Sequence, residues 1–541
     1  MRPGHWILGV CAFVFSSAGI LHVTGSDLAN AVMQKDKQRV RTLLAQKPDV
    51  NAPQTDGSTA LHWAVRWDDS ETVDLLLRAG AKPGAANRIG ATPLYLAAVN
   101  GSTAMIEKLL KAGADPNEFV LTENETPLMI AARTGKTEAV KLLLDRGATV
   151  DAKEKLRETT ALMWAAEQNH PAVVRLLAER GADVNARSRI NAPPAGRRGG
   201  GGGGGGGQQA QAQQGGGNTT PPLAGTTGGL TPLVFAAREG ALEAVKALLA
   251  AGADPNKASA DGSSPMLVAV QNGHYNVAEY LLSQRANPNL QNEKGWNPLY
   301  LAVKNRNLET GTIPVPNEEL ALDFIKVLLA NGANPNLQVK GNTEIRNGQR
   351  ATWLQEAGAT PFLRAAVCGD ITVMRLLLQH GADPAITTDD KTTPLMAAAG
   401  VGYTEGFIHD RSEAETLEAM KLLLDLGADV NAANEGGLTA LHGAAHKAAL
   451  PLIQLLADHG GNLAAKDKGS KAYGANTEGL TPLDWAEGVV IGVQSAIYHA
   501  EAVALITKLM NEKGIPIEGN TQATRTKGGN AAVGNTSVNR R

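Results

Sequence analysis

The chain has 541 residues and a formal net charge of −2, and aromatic residues make up 4% of it. Its basic residues are spread along the sequence, so nothing in it predicts the clustered basic face that nucleic-acid binding requires. A chain of this length would ordinarily fold as about three or four domains. An internal repeat, described below, changes that expectation.

The first 25 residues have the pattern of a secretory signal peptide. Basic Arg2 precedes an apolar run at 6–15, and small residues follow at 16–19. A basic start, a short apolar core and small residues before a cleavage site are typical of such peptides. We therefore expect cleavage after Ala18 or after Gly25, the latter being preferred because the repeats begin directly after it, and a periplasmic or secreted mature protein. The alternative is an uncleaved N-terminal anchor, because the apolar stretch could extend to Val23.

A seven-residue segment, here called the opener, recurs along the chain. At Thr231 it reads Thr-Pro-Leu-Val-Phe-Ala-Ala, and a second apolar segment and a loop follow it, here called the closer, Gly252-Ala-Asp-Pro-Asn256. A degraded copy without an opener occupies 26–52, which gives about 12 copies in all. The 11 openers are most often 33 or 34 residues apart, and they begin at 59, 92, 126, 160, 231, 264, 297, 360, 393, 439 and 481.

Each copy is predicted to form two short helices. Thr before Pro is a favourable helix N-cap, and Pro at the first helical position loses no hydrogen bond. The paired Ala residues let two helices approach closely, while runs of Leu provide an apolar face. The Gly of the closer suits the left-handed position after a helix. One such pair cannot bury its own apolar face, so the copies must stack on one another.

The opener, the closer and the 33-residue period resemble the ankyrin repeat, whose signature is Thr-Pro-Leu-His-x-Ala-Ala. The resemblance covers residues 26–518 apart from insertions. It implies an all-α solenoid of helix-turn-helix repeats joined by β-hairpin loops. It also implies a concave groove, formed by first helices and hairpin tips, where partners bind. The two parts of the repeat array are then 26–190 and 230–518.

Several segments interrupt this pattern. Residues 191–229 contain nine consecutive Gly and a Gln/Ala run, and such a composition predicts a disordered loop. This loop is either a tether that leaves one continuous stack or a hinge between two stacks. Insertions at 305–317, 337–359 and 401–415 could form binding loops. A disordered basic tail is expected at 519–541.

The sequence contains no catalytic or cofactor-binding pattern, so we expect no enzyme activity, no cofactor and no metal. The Thr-Gly-Lys-Thr run at 134–137 lacks the earlier Gly of a phosphate-binding loop. His442 and His446 have a spacing that could hold a metal, but no third ligand is apparent. In the ankyrin resemblance, His442 occupies the opener position that makes local structural hydrogen bonds. Cys368 is expected to pack as a small apolar residue near the end of a first helix.

The expected activity is protein binding through positions that the repeat leaves free. The two positions after the Ala pair have no obvious packing role, and Trp and Arg dominate binding hot spots. By contrast, Trp63, Trp164, Phe235 and Trp485 stand at the fifth opener position and should pack between helices. The candidate partner contacts, the last of them at a hairpin tip, are Arg66, Trp67, Arg133, Arg238, Glu239 and Trp296.

These observations predict an exported, monomeric scaffold or adaptor that binds an unidentified protein. No nucleic-acid partner is expected, nor a membrane span once the signal peptide is removed. The alternative is a protein that binds a small molecule or a cell-wall glycan through the three insertions. A third possibility is an immunity-type partner of a secreted enzyme.

Overall fold

The computed structural model describes residues 25–121, 123–191, 226–307, 318–342, 354–403, 411–468, 479–489 and 497–517. The expected signal peptide, most of the loop at 191–229 and the tail at 519–541 lie outside these residues. The chain divides into two compact units, Met1–Lys155 (unit 1) and Leu156–Arg541 (unit 2). Each unit is described by itself.

Unit 1 is built from helix pairs. Its first helices α1, α3, α5 and α7 pack in chain order, and of its second helices α4 packs on α6 and α6 on α8. The helices are α1 Gly25–Met33, α2 Lys37–Ala45, α3 Ala60–Arg66, α4 Ser70–Arg78, α5 Pro93–Asn100, α6 Thr103–Lys111, α7 Pro127–Arg133 and α8 Thr137–Asp145.

Unit 2 repeats this arrangement, with its first helices packed in one row and its second helices in another. Two short strands, β1 Ile190–Asn191 and β2 Thr227–Gly228, pair antiparallel between α10 and α11. The helices are α9 Ala161–Glu167, α10 Pro171–Glu179, α11 Pro232–Arg238, α12 Leu242–Ala250, α13 Pro265–Gln271, α14 Tyr275–Ser283, α15 Pro298–Arg306, α16 Glu318–Ala330, α17 Pro361–Val367, α18 Ile371–Gln379, α19 Pro394–Ala399, α20 Glu413–Asp425, α21 Ala440–His446, α22 Leu450–Asp458, α23 Pro482–Glu487 and α24 Ala500–Glu512.

The openers begin helices by the mechanism that the sequence predicts. In α5 the Thr92 hydroxyl accepts a hydrogen bond from the Tyr95 backbone N–H at 3.2 Å, and Pro93 occupies the first helical turn. Asn297 caps α15 in the same way, at 2.9 Å from the Tyr300 N–H. Most second helices end at a closer glycine, such as Gly252 with φ +90°, a conformation that glycine adopts without strain. Lys47 after α2 and Arg285 after α14 adopt positive φ at the same position. The predicted all-α repeat architecture is confirmed.

The helices on the two sides of residues 192–225 stack directly within unit 2. First helices α9 and α11 pack together, as do second helices α10 and α12. The Ser188 N–H donates to the Leu230 carbonyl at 3.0 Å, beside the β1–β2 pair. The stack in unit 2 therefore continues across this segment, a geometry that favours a tether over a hinge.

The closer asparagines join consecutive repeats. The Asn336 side-chain amide donates to the Gly381 carbonyl at 2.9 Å, and its oxygen accepts from the Asp383 N–H at 2.8 Å. The same two-bond bridge recurs at Asn51, Asn117, Asn289 and Asn431. Each bridge satisfies one carbonyl and one N–H of the next repeat, so these side chains hold the stack together.

We expect Asn336→Ala to destabilise the contact between its repeat and the next by about 1–3 kcal/mol, because two backbone groups lose their partners. Hydrogen exchange of α18 measures the effect as faster local opening. The matched control is Asn331→Ala, since the Asn331 amide donates only to the Val327 carbonyl in its own helix. Equal exchange rates in the two variants would contradict the bridging role.

Candidate binding surface

Two of the predicted contacts, Arg66 and Trp67, lie together on the surface of unit 1. Trp67 is the C-cap residue of α3 and remains 39% exposed. Its ring stacks on Trp63, with centroids 6.1 Å apart and an interplanar angle of 27°. The Lys35 ammonium lies 4.1 Å from the Trp67 centroid, and the Arg66 guanidinium lies 5.9 Å from both rings. We call these four residues the Trp67 surface.

A cleft of about 450 Å³ adjoins the Trp67 ring. Val32 and Val40 provide its apolar part, and both are buried. Lys37 crosses its rim to Glu71, with Nζ and Oε2 3.2 Å apart, and Arg41 pairs with the same carboxylate. The hydrogen bond from Arg41 is the main reason that the pKa of Glu71 is lowered. The cleft thus combines an aromatic wall with fixed charges of both signs, a lining suited to binding a polypeptide.

Other exposed apolar side chains of unit 1 occur on neighbouring repeats. Ile89 and Phe119, which belong to hairpin loops, are 65% and 59% exposed. Val99 stands in its repeat where Arg66 stands in the preceding one, and it is also exposed. Contiguous exposed apolar patches are a feature of interaction surfaces, whereas single exposed apolar residues are common on any protein.

The remaining predicted arginines are engaged in ion pairs. Arg133 Nη1 lies 3.8 Å from Glu125 Oε1 in unit 1. In unit 2, Arg238 pairs with Glu167 on the preceding first helix at 2.5 Å and with Glu239 at 2.8 Å. Surface ion pairs of this kind contribute about 0–1 kcal/mol. Both Arg238 and Glu239 nevertheless remain at least partly exposed on unit 2.

The prediction that Trp296 is an exposed contact is wrong. Its side chain is only 8% exposed, and Lys294 covers the ring at 5.0 Å. The position also lies directly before the Asn297 N-cap, at the base of the hairpin and not at its tip. Burial against the repeat removes Trp296 from the set of partner contacts.

The two positions after the Ala pair were expected to lack a packing role, but some residues at these positions have one. Asn100 donates to the Val65 carbonyl at 3.0 Å, and Asn305 donates to the Val270 carbonyl at 2.8 Å. Each amide therefore satisfies a carbonyl at the end of the preceding first helix. Lys304 is also buried.

The residues predicted to pack between helices do so with one qualification. Trp164, Phe235 and Trp485 are buried, whereas Trp63 is partly exposed and donates from Nε1 to the Gln54 side chain at 2.5 Å.

Cys368 is buried at the C-cap of α17, as expected. Burial raises the pKa of its thiol to about 11, so it stays protonated and unreactive at neutral pH.

His442 has the structural role that the resemblance implies. Its Nδ1 lies 3.0 Å from the Thr439 hydroxyl, and its Nε2 lies 3.1 Å from the Leu480 carbonyl of the next repeat. His446 packs edge-on against Trp485. Among the described residues, no group of three or more His, Cys, Asp or Glu side chains is arranged to hold a metal.

A buried ion network fixes the residues that flank two insertions in unit 2. Asp370 Oδ2 lies 2.9 Å from Arg306 Nε and 3.6 Å from Arg411 Nη2. Arg411 also bonds Asn307 at 2.8 Å and Glu318 at 2.7 Å. Residues 308–317, 343–353 and 404–410 of the three insertions lie outside the described residues, so binding through the insertions at 305–317, 337–359 and 401–415 stays a prediction.

Sequence reasoning missed Lys35, the cation nearest to Trp67. The 33-residue period could have indicated it. Lys35 lies in the turn between the two helices of the degraded first copy, and Asp68, 33 residues later, lies in the same turn of the next copy. Both residues have positive φ, 58° and 55°. Equivalent turns of consecutive repeats are neighbours in the stack. The Lys35 ammonium therefore lies over Trp67, the residue directly before Asp68.

The helix pairs stack in rows, opener side chains cap their first helices, and closer asparagines bridge consecutive repeats. This architecture defines a repeat protein of the scaffold class. Ankyrin repeat models match the chain at residues 28–120, 118–188, 233–339, 357–389 and 408–457. The chain belongs to the ankyrin repeat family. Repeats of this kind serve in general as protein-interaction scaffolds.

One curated relative is the palmitoyltransferase AKR1 of Lachancea kluyveri, 33% identical over 144 residues. The aligned part covers 27% of this chain and 17% of that protein. The chain therefore spans less than a fifth of this relative's length. Within the described residues, no helix is long and apolar enough to cross a membrane.

We expect unfolding around α21 to depend on pH because burial lowers the pKa of His442 to about 4. The unfolded residue titrates near about 6.5, so the unfolded state binds more protons between these values. Stability therefore falls as pH decreases from about 6.5 to 4, by up to about 3 kcal/mol from His442. His446 in the same helix adds to this slope, because burial lowers its pKa to about 4 as well. Hydrogen exchange of α21 across this range measures the slope.

The variant His442→Gln cannot take up this proton and should show a flatter pH profile, whatever its overall stability. His459→Gln is the control, because His459 is exposed and bonds only a carbonyl in its own helix. A wild-type slope retained in His442→Gln would contradict this assignment.

Proposed function

We propose that this protein is a scaffold or adaptor that binds a protein partner through the Trp67 surface. The single observation that carries the proposal is the exposure of Trp67 beside Arg66 and Lys35, at the edge of a cleft. Tryptophan and arginine are the side chains most enriched in binding hot spots. An aromatic face and two cations favour a partner segment with apolar and acidic side chains.

The Trp67 ring is preorganised for this role. Trp63 supports it from within the repeat and Lys35 from the preceding repeat, so its rotamer is fixed before a partner binds. A ring that is already fixed loses little conformational entropy on association, and that entropy is a main cost of binding. Ile89 and Phe119 extend the apolar surface of unit 1.

We also propose that the protein has no enzymatic activity and acts as an exported monomer. The sequence pattern of residues 1–25 supports export, and N-terminal sequencing of the mature protein tests it. The likeness to a palmitoyltransferase covers 17% of that protein, and repeats alone supply binding. Because the charges are spread along the sequence, we propose a protein partner and not a nucleic acid.

We expect Trp67→Ala to weaken partner binding about 30-fold or more, the effect of removing a hot-spot residue worth about 2 kcal/mol. The test is affinity capture of cellular proteins on the tagged full chain, followed by titration of any retained protein. Leu426→Ala is the matched control, because Leu426 is a large apolar residue of similar exposure, 45%, in unit 2.

The proposal requires a protein retained by the wild type and by Leu426→Ala but released by Trp67→Ala. If Trp67→Ala retains the partner as tightly as the control does, the binding surface lies elsewhere. The variant Arg238→Ala then tests whether the charged positions of unit 2 carry the interaction.

A further inference from the structure

Arg364 occupies a position that other repeats fill with apolar residues. It is the fifth residue of the opener at Thr360, the position where the repeats described above place Trp164, Phe235 and Trp485. The Arg364 side chain is nevertheless completely buried in α17. A buried guanidinium is costly unless it is paired and hydrogen-bonded, so this replacement requires an explanation.

Within the described residues, only one of the three guanidinium nitrogens of Arg364 has a polar partner. Its Nη1 lies 3.5 Å from Glu356 Oε1, and Glu356 is also buried. Its Nε and Nη2 have no hydrogen-bond partner among the described residues. These two N–H groups form one edge of the planar guanidinium and point in the same direction. The whole edge that can bind a planar anion through two parallel bonds is therefore unused.

A second unused donor stands on the preceding first helix. α15 packs against α17, and the Tyr300 hydroxyl on α15 is completely buried without a hydrogen-bond partner in the described part of the chain. Burial raises the pKa of Tyr300 well above its ordinary value, and the charges of Glu356 and Arg364 act on the same hydroxyl. The phenol therefore remains protonated and able to donate.

The orphaned polar atoms are concentrated in this part of unit 2. Of the eight buried side-chain polar atoms without a partner in the described residues, six belong to repeats opening at 264, 297 and 360. All six can donate a hydrogen bond. They belong to Tyr275, Trp296, Asn297, Tyr300 and Arg364. Of these residues, Tyr300 and Arg364 lie on α15 and α17, which pack against each other.

We propose that Arg364 and Tyr300 form a binding site for a small carboxylate. The two oxygens of a carboxylate match the Nε and Nη2 groups in a bidentate pair, and the Tyr300 hydroxyl supplies a third donor. A carboxylate fits better than a phosphate, because it adds one negative charge and not two beside an Arg364–Glu356 pair that is already close to neutral. Since both side chains are fully enclosed, the ligand must be small. This site is independent of the Trp67 surface.

The experiment titrates the purified full chain with sodium acetate and sodium propionate by isothermal calorimetry and by the thermal unfolding midpoint. Sodium chloride of equal ionic strength is the control for a general salt effect. Acetamide, which has the shape of acetate without its charge, is the control for shape. We expect binding of the carboxylates and a midpoint that rises with their concentration, with no comparable change in either control.

Arg364→Met removes the guanidinium at similar volume and should weaken carboxylate binding at least tenfold. Tyr300→Phe removes only the hydroxyl and should weaken it several-fold. Arg364→Lys keeps the charge but loses the bidentate edge, so it should also bind weakly. The matched control is Arg238→Met in an exposed ion pair, which should bind as the wild type does. If Arg364→Met does not fold, Tyr300→Phe and Arg364→Lys still decide the question.

Two results would overturn the site. In the first, carboxylates bind with equal strength to the wild type and to Tyr300→Phe and Arg364→Lys, which would place binding elsewhere. In the second, no carboxylate acts beyond chloride, a result that overturns the site whatever the stability of the variants. The double variant Arg364→Met/Glu356→Gln then shows what the buried pair does, and we would expect it to unfold at a higher temperature. The buried pair would then be a defect of packing without a ligand.

Discussion

The structure depends on one constraint: a single helix pair cannot bury its own apolar face, so each repeat is stable only against its neighbours. The same dependence extends to the polar groups. Closer asparagines such as Asn336 satisfy a carbonyl and an N–H of the following repeat. His62 links its own N-cap Thr59 to the Ala91 carbonyl 29 residues later. Because apolar packing and hydrogen bonding both cross the repeat boundary, a change in one repeat alters the stability of the next.

This constraint explains which features could be predicted from the sequence. The first helices begin where the openers predicted, because a Thr or Asn side chain caps a helix through contacts within three residues, as Thr92 does. The burial of Cys368 followed from its place at the end of a first helix. Such features are local, and one copy of the repeat is sufficient to recognise them.

The features that could not be predicted depend on contacts between repeats. Trp296 appeared to stand on a hairpin tip, yet it lies at the hairpin base and is buried. Asn100 and Asn305 appeared to have no structural role, because the carbonyls that they satisfy lie 35 residues earlier in the chain. The pairing of Arg238 with Glu167 spans 71 residues and the 192–225 segment. None of these contacts follows from the pattern within one copy.

The second residue after the opener connects the structural constraint to the proposed binding surface. At this position Asn100 and Asn305 each donate to the end of the preceding first helix. Trp67 holds the same position in the repeat that follows the degraded first copy, and there the contact with the preceding repeat is the Lys35 ammonium over the indole ring. The Trp67 side chain is 39% exposed at this position. The fifth opener position also varies between repeats: others place a packed apolar side chain there, whereas the repeat opening at Thr360 places the buried and partly unpaired Arg364. In a stacked array each repeat is stabilised by two neighbours, so one position can lose its packing role and become available for binding while the fold is retained.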